Sequence, residues 1–522
     1  MKIDLKNITV STIVTLYSLL IFSYFPIAMM GYTGLTSFKV VNFVGFTIAA
    51  IILVLMTALT TMSAKSSLKF KDYIKNFSIT SWFLIGFLAV QLISSIFSPF
   101  QSSKVWLVDG RNEGMLIQLI YVVIFLAIYT FANFDKFYTY LLSGTLIIMN
   151  TIAIIQLFGI NFLDFYPGNT MYSKQYFGVF YSTIGNVDVL GAFYCATVPM
   201  VAATYIIYKH KIEQKLLLLA AVLTSVFVII EINVSATLLG IAVLCAVMLP
   251  LYLVKGRARN TLIIASVSCF AAVFAFICDR ELGNGEYILT YTFTTPAKIM
   301  SALTVVFAIL ALAVHFIKIK ISAKIVLITL YTLEVLAIIA VVVWLKFIIV
   351  VDENTNDLLR EFVNLFRGEI TMHSGSRRIA IWSCSYMIFE KYPIFGVGAG
   401  AFRDAFDKIA LETYKQYSKF SVDLAHNEYI HIACSHGIVG LIAYLGFVCT
   451  LCVRAVKRIF ENENLAVILP AIVCYLIQAF FSFGLVFVMP IFMALCGFAE
   501  REMQSKKALY MQFAQKHYHK YI

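Results

Sequence analysis

Two adjacent arginines, Arg377 and Arg378, stand in a long polar run of the chain. A guanidinium is permanently charged, and its fork of N–H donors matches the oxygens of a phosphate, so the pair is suited to holding a diphosphate. Ser374 or Ser376 is a plausible N-cap, which predicts a short helix over residues 377–391. That helix would present both arginines in its first turn.

The imidazole of His426, followed by Asn427, is the strongest candidate for proton transfer. A group whose ordinary pKa is about 6.5 can take a proton from a hydroxyl, so His426 is a candidate general base. His431 and His436 follow at intervals of five residues, which raises the alternative of a metal site. On a helix that step turns successive side chains about 140° apart, so the spacing argues against a shared metal ion.

Between these residues lies the run Gly396-x-Gly398-x-Gly400. No βαβ unit surrounds it, so it is not a dinucleotide-binding fingerprint. The glycines permit a tight turn or a close approach of the backbone to a ligand. A flexible surface loop is the alternative interpretation.

Two other segments join the candidate site. One is the run 109–114, in which Arg111 stands just before the apolar stretch 114–133. The other is Gly185-Asn186, at the start of the apolar stretch 186–208. Arg111 either contributes a positive charge to a ligand or has no role, and the segment itself leaves both interpretations open.

The composition indicates which secondary-structure elements position these residues. The chain has 522 residues, of which 61% are hydrophobic and 13% charged, and its mean hydropathy is +0.88. Soluble domains are roughly 45–50% apolar and about 25% charged. The composition therefore predicts an all-α, polytopic membrane protein and excludes a cytosolic enzyme, a disordered chain and a disulfide-stapled secreted domain.

A transmembrane helix needs about 20 mainly apolar residues. Windows of that length predict about 14 spans, with a range of 12 to 14. They lie near residues 11–31, 40–62, 79–99, 114–133, 137–160, 186–208, 216–232, 234–254, 260–278, 297–317, 325–350, 437–453, 465–483 and 485–499.

The basic residues indicate the orientation, since Lys and Arg in short loops mark the cytoplasmic side. With these spans, 24 of the 40 Lys and Arg residues fall on one side and six in the short segments of the other. We therefore expect both termini in the cytoplasm, and we interpret the net charge of +12 as a topology signal and an attraction to anionic lipid, not as a nucleic-acid-binding surface.

The chain then divides into three parts: spans 1 to 11 in residues 1–350, an extracytoplasmic catalytic loop in 351–436, and spans 12 to 14 with a cytoplasmic tail in 437–522. Ionisable residues are nearly absent from the spans. A proton-driven carrier usually keeps such residues at mid-membrane depth. The composition therefore favours a site outside the membrane over a transport pathway.

The order of motifs is similar to that of the O-antigen ligase and O-antigen polymerase superfamily. The motifs that carry the resemblance are Arg377 with Trp382, the run 393–398, Ala425-His426-Asn427 and the run 437–441. These motifs match the family pattern closely over about 70 residues, while the pattern of apolar helices matches it only in general form over most of the chain.

The resemblance implies a glycosyltransferase that uses a polyprenyl diphosphate-linked glycan as donor and a glycan or lipid-glycan as acceptor at the outer leaflet, without a metal or other cofactor. It assigns donor diphosphate binding to Arg377 and, less directly, Arg378, and activation of the acceptor hydroxyl to His426. Arg111 is a third candidate for the diphosphate. Asn427, Trp382, Gly396 and Gly398 are then supporting residues.

The sequence departs from the family pattern in one place. Many members carry Ser-Arg near the start of a middle helix, where this chain has Ser235-Ala236-Thr237. Either Arg111 supplies the missing charge or the donor is held differently. Two other classes stay open: a flippase or exporter of lipid-linked glycan without chemistry, and a structural partner in a cell-envelope assembly.

Overall fold

The protein is a helical bundle in a computed structural model. The structure describes residues 9–28, 35–62, 77–104, 114–157, 160, 182–254, 256–283, 286–291, 293–316, 323–351 and 357–504. Arg111 lies outside the described residues, as does most of its segment.

The regular structure of the described residues consists of nineteen α-helices, one hairpin, two short 3₁₀-helices and one short π-helix. The first ten helices are α1 (Val10–Phe22), α2 (Tyr24–Ile27), α3 (Leu35–Met62), α4 (Ile79–Ile96), α5 (Met115–Phe131), α6 (Lys136–Leu157), α7 (Val187–Ile207), α8 (Ile212–Ile232), α9 (Ser235–Leu253) and α10 (Ala258–Ile277). After the strands β1 (Cys278–Gly283) and β2 (Glu286–Tyr291) come α11 (Thr295–Phe316), α12 (Ala323–Val343), α13 (Asp357–Arg367), α14 (Arg378–Lys391), α15 (Phe402–Ile409), α16 (Leu411–Tyr414), α17 (Glu428–Val456), α18 (Glu463–Gln478) and α19 (Met489–Glu502).

The predicted helical membrane bundle is confirmed. Twelve helical segments of the described chain are long and apolar enough to cross a membrane. The two other predicted spans correspond to α5, with 17 residues, and to α19, with 14 residues. All fourteen apolar stretches are thus helical, because inside a bilayer only the helix satisfies the backbone hydrogen bonds of a single segment.

One short element was not predicted. Strands β1 and β2 pair antiparallel, with Cys278 opposite Tyr291, and connect α10 to α11. The hairpin lies between two predicted spans, so it leaves the helical bundle intact.

The centre of the bundle is formed by α7 and α18, which pack against each other and contain fully buried rings such as Tyr194 and Tyr475. Helices α11 and α12 lie at the periphery, where their apolar side chains are largely exposed. Such faces are stable against lipid. The centre of the core is therefore built by helices that are about 270 residues apart in the sequence.

Residues 357–436 hold four short helices, α13 to α16, beside the bundle end at which α4 ends and α17 begins. We call this the site end. The segment has a small apolar core of its own around Phe402, Phe406 and Ile388, which also includes Phe100 after α4. This shared core fixes the position of the segment against the bundle.

Candidate active site

A break in helix α17 is the central feature of the site. Gly437 has φ 65° and ψ −172°, which no helix contains. It separates residues 428–436, here called the half-helix, from the long part of α17. A break leaves backbone N–H and C=O groups without their intrahelical partners, and inside an apolar bundle such groups need new partners.

The run 393–400, here called the glycine loop, supplies those partners. Its amides donate to carbonyls of the half-helix, and its carbonyls accept from amides that follow the break. The bonds are Val397 N to Cys434 O (3.0 Å), Gly398 N to Ser435 O (2.8 Å) and Ile438 N to Pro393 O (2.8 Å). Two of the sequence motifs are therefore halves of one backbone arrangement.

This contact explains the glycines. A Cβ atom on Gly396 would lie 2.4 Å from the carbonyl carbon of Ser435, and one on Gly437 would lie 2.1 Å from the Ile394 oxygen. The expected close approach of the backbone is present, and here it is to another part of the backbone. The interpretation as a flexible surface loop is wrong, because the loop is hydrogen-bonded to the half-helix. Gly396 and Gly398 belong to the backbone contact between the glycine loop and the half-helix.

Serines at the end of α4 hold the other side of the glycine loop. The Ser95 hydroxyl accepts from the Ala399 amide (3.1 Å), and Ser94 donates to the Ser435 carbonyl (3.1 Å). Ser98 donates to the Val397 carbonyl. Sequence reasoning missed these residues, although a cluster of serines at the end of an apolar span was a visible signal.

His426 stands immediately before the half-helix. It has a left-handed φ of 50°, it is half-buried, and its ring meets the Phe483 ring edge-on with centroids 5.1 Å apart. Asn427 is the N-cap of α17, and its side-chain oxygen accepts from the Ile430 amide (3.0 Å). The cap therefore fixes the first turn of the half-helix, immediately after His426.

The next residue, Glu428, was not predicted as a site residue. Its carboxylate is buried, with 6% exposed, and accepts from the hydroxyls of Tyr444 and Tyr475. Tyr444 lies beyond the break and Tyr475 lies on α18, so the carboxylate joins the half-helix to both. A buried carboxylate is costly unless it is hydrogen-bonded, and here both oxygens are.

The predicted helix over 377–391 is present as α14, but its N-cap differs from the expectation. Arg377 is the N-cap, in the left-handed conformation with φ 69°, and no side chain caps the helix. Ser374 bonds to the amide of Thr371 instead (3.0 Å). The reason is that residues 371–377 form tight turns in which Gly375, Ser376 and Arg377 all have positive φ.

The two arginines have different surroundings. Arg378 lines a pocket between α9, α13 and α14, and its guanidinium lies 3.8 Å from the Asp188 carboxylate. Arg377 is exposed and lies near Tyr414. Burial raises the pKa of the Tyr414 hydroxyl, and the Arg377 charge opposes that rise.

We call the space beside Arg378 the arginine pocket. Its cavity volume is about 200 Å³, and its mouth is open to solvent. Most of its wall is apolar. The lining residues are Ser235, Ala236, Leu239, Glu361, Phe362, Leu365, Ile370, Ser374, Gly375, Arg378, Ile379, Trp382 and Phe481.

A single segment after α18 connects the predicted residues. The Trp382 ring packs against Phe480 and Phe481, with centroids 5.9 Å and 6.3 Å away, and Phe483 of the same segment contacts His426. The buried Nε1 of Trp382 and Nε of Arg378 have no hydrogen-bond partner among the described residues. The structure thus brings Arg378, Trp382 and His426 to neighbouring positions around residues 480–483.

Comparison with known families agrees with this geometry. No curated protein matches the sequence. Residues 289–445 match the family described as O-antigen ligase, a range that contains both arginines, the glycine loop and the half-helix with His426. The match confirms the resemblance of this part of the chain to the O-antigen ligase and O-antigen polymerase superfamily.

Proposed function

We propose that the protein is a membrane glycosyltransferase that transfers or polymerises a polyprenyl diphosphate-linked glycan. The observation that carries the proposal is that Trp382, on the wall of the arginine pocket, and His426 contact the same short segment, 480–483, within and beside the region that matches O-antigen ligases. An anion-binding pocket next to a candidate base is the pairing that such a transfer needs.

The arginine pocket suits the donor. Its apolar wall fits part of a polyprenyl chain, and Arg378 provides a charged fork for the diphosphate. Ser235, at the position where many family members have Ser-Arg, lines the same pocket as Arg378. This neighbourhood supports the alternative in which the donor is held without the missing arginine, with Arg378 in its place. Arg377 is the adjacent exposed charge, and a role for Arg111 stays a prediction.

The reaction would be a single inverting displacement. The acceptor hydroxyl oxygen forms a bond to the anomeric carbon while the bond from that carbon to the diphosphate oxygen breaks. His426 takes the hydroxyl proton, and the polyprenyl diphosphate leaves with its negative charge stabilised by Arg378 and Arg377. These steps assign no part to a metal ion, cofactor or covalent enzyme intermediate.

The distribution of Lys and Arg supports a location. With 24 basic residues on one side and six in the opposite short segments, the site end would face outward from a bacterial cytoplasmic membrane and both termini would be cytoplasmic. The partners would be the lipid-linked donor, a glycan or lipid-glycan acceptor and the membrane lipids.

Transfer from a purified, radiolabelled lipid-linked donor tests the proposal. We expect Arg378→Ala and His426→Ala each to lower transfer by about 100-fold or more, since charge stabilisation and general-base catalysis each contribute factors of that order. The assay compares initial rates at equal amounts of folded protein in proteoliposomes.

Matched controls are Arg403→Ala, an exposed arginine of α15, and His315→Ala, an exposed histidine at the far end of α11. Both should retain wild-type transfer. Undiminished transfer by both Arg378→Ala and His426→Ala would refute the site assignment, and labelled donor that crosses the membrane without being transferred would favour an exporter.

A further inference from the structure

A second cavity borders the half-helix. It lies between α4, α5, the half-helix and the segment after α18, and it is a small cavity of about 60 Å³ whose mouth is open to solvent. We call it the glutamine cavity. Its lining residues are Phe87, Gln91, Gln118, Tyr121, Ala399, Gly400, Glu428, His431, Ile432, Ser435, His436, Tyr444, Phe483, Gly484 and Met489.

The cavity is unusually polar for the interior of a membrane bundle. Gln91 is 2% exposed and donates to the Gln118 carbonyl oxygen (3.1 Å). The Ser435 hydroxyl, on a residue 1% exposed, has no hydrogen-bond partner among the described residues. Buried amide and hydroxyl groups without full hydrogen bonding cost free energy, so this set is suited to a polar ligand.

The charges on the wall restrict the class of that ligand. The lining contains no Lys or Arg, and Glu428 contributes a carboxylate. An anionic group would meet repulsion there, whereas neutral hydroxyl groups can both donate to and accept from the glutamines and Ser435. The aromatic rings of Phe87, Tyr121 and Phe483 supply apolar surface beside these polar groups, which is the composition of a small-molecule site.

The cavity is also next to the candidate base. Phe483, which contacts the His426 ring, lines the glutamine cavity, and Phe481, two residues earlier, lines the arginine pocket. Glu428, two residues after His426, is on the cavity wall. A ligand in the cavity would therefore lie across the 480–484 segment from a donor in the arginine pocket.

We propose that the glutamine cavity is part of the acceptor subsite and binds hydroxyl groups of an uncharged acceptor sugar that reach in from its mouth, with Gln91, Gln118 and Ser435 as the hydrogen-bonding residues. This inference rests on the proposed transferase function and adds the place and chemistry of the second substrate. The two cavities divide the substrates by charge: the anionic lipid-linked donor lies beside Arg378, and the neutral acceptor lies beside Glu428.

The test measures how transfer depends on acceptor in reconstituted protein. The probe is a detergent extract of membranes from a strain that lacks the gene. Because that strain does not use the acceptor, the extract contains it, whether the acceptor is a lipid-glycan or another lipid-linked unit. Labelled donor is held at a saturating level while the extract is titrated. We expect Gln91→Leu and Ser435→Ala each to raise the half-saturating amount of extract by about fivefold or more, the effect of one lost hydrogen bond, and to leave the half-saturating donor concentration within twofold.

The matched control is Gln214→Leu, which removes a glutamine that is hydrogen-bonded to Tyr140 (3.2 Å) at the end of the bundle opposite the site. This control should leave the half-saturating amounts of extract and of donor unchanged. If Gln91→Leu or Ser435→Ala fails to fold, Gln118→Leu, at a half-buried residue of the cavity wall, is measured in its place. Unchanged acceptor dependence in folded Gln91→Leu and Ser435→Ala, or a lower maximal rate alone, would overturn the subsite while leaving transfer intact. A wild-type protein that transfers no label would overturn the proposed function, and the subsite with it.

Discussion

Gly437 has the most restrictive surroundings of the residues in the site. Its φ of 65° and ψ of −172° belong to a region that only glycine enters readily, at a cost of roughly 1–3 kcal/mol for other residues. An added Cβ would also lie 2.1 Å from the Ile394 oxygen. The strain and the clash act on the same backbone contact, the one that joins the half-helix to the glycine loop.

We therefore expect Gly437→Ala to lower the free energy of unfolding by more than about 3 kcal/mol and to abolish transfer. Thermal unfolding of the purified protein measures the first effect. The control is Gly144→Ala in α6, where an added Cβ meets no atom within 4 Å and alanine should stabilise the helix by about 0.5–1 kcal/mol. Equal stability of the two variants would contradict the structural role of the break.

Some site residues could be predicted from the sequence alone and others could not. Arg378, Trp382 and His426 were found because their types stand in short motifs with an evident chemistry. Gln91 and Gln118 come from two apolar helices and meet only in the folded bundle, through a hydrogen bond of 3.1 Å. Such pairs leave no local pattern, because the groups that give each glutamine its environment are distant in the chain.

At the scale of the element, the start of α17 determines the direction of His426. Asn427 satisfies one of the free amides of the first turn by accepting from Ile430 N (3.0 Å). Without this cap the half-helix would begin later and His426 would lose its fixed backbone. Replacement of such caps by alanine costs about 0.5–2 kcal/mol.

We expect Asn427→Ala to reduce the rate of transfer at least tenfold at equal folded protein and Asn427→Ser, which can still cap, to retain most of it. Initial rates with labelled donor measure both. Asn462→Ala is the control, since Asn462 caps α18 through Leu465 N (3.2 Å) at the opposite end of the bundle. A loss of rate as large in Asn462→Ala would mean that the effect is general destabilisation.

The helices themselves were predictable, but the break was not. Hydropathy predicted a span from residue 437, where the long part of α17 begins after the break. It did not predict the half-helix over 428–436, because the mean hydropathy of a window carries no information about the positive φ angle of one residue, Gly437. The hairpin β1–β2 was missed for a related reason: its strands are short, and their pairing depends on the two helices that bring them together.

At the scale of the whole molecule, fourteen crossings, an even number, would place both ends of the chain on one side of the membrane. We expect that side to be the cytoplasm, because the Lys and Arg residues of the short loops are concentrated there. A fluorescent protein fused after Ile522 should therefore be fluorescent, because it folds in the cytoplasm. Alkaline phosphatase fused after Lys419 should be active, because it needs the oxidising side.

The same two reporters exchanged between the two positions provide the control, and each should then be inactive. Activity of the phosphatase after Ile522 would reverse the orientation and place the arginine pocket on the cytoplasmic side, where an external acceptor has no access.

The broken helix also has a consequence for the order in which the chain is made. Ser95 and Ser98, at the end of α4, are synthesised about 300 residues before the glycine loop they bind, and the loop precedes Gly437 by about 40 residues. Helix α4 with its serines is therefore made before the loop arrives, and the loop can dock on Ser95 and Ser98 before the break exists. When α17 emerges, the partners for its interrupted backbone are already in place, so the growing chain need not carry unsatisfied peptide groups into the membrane.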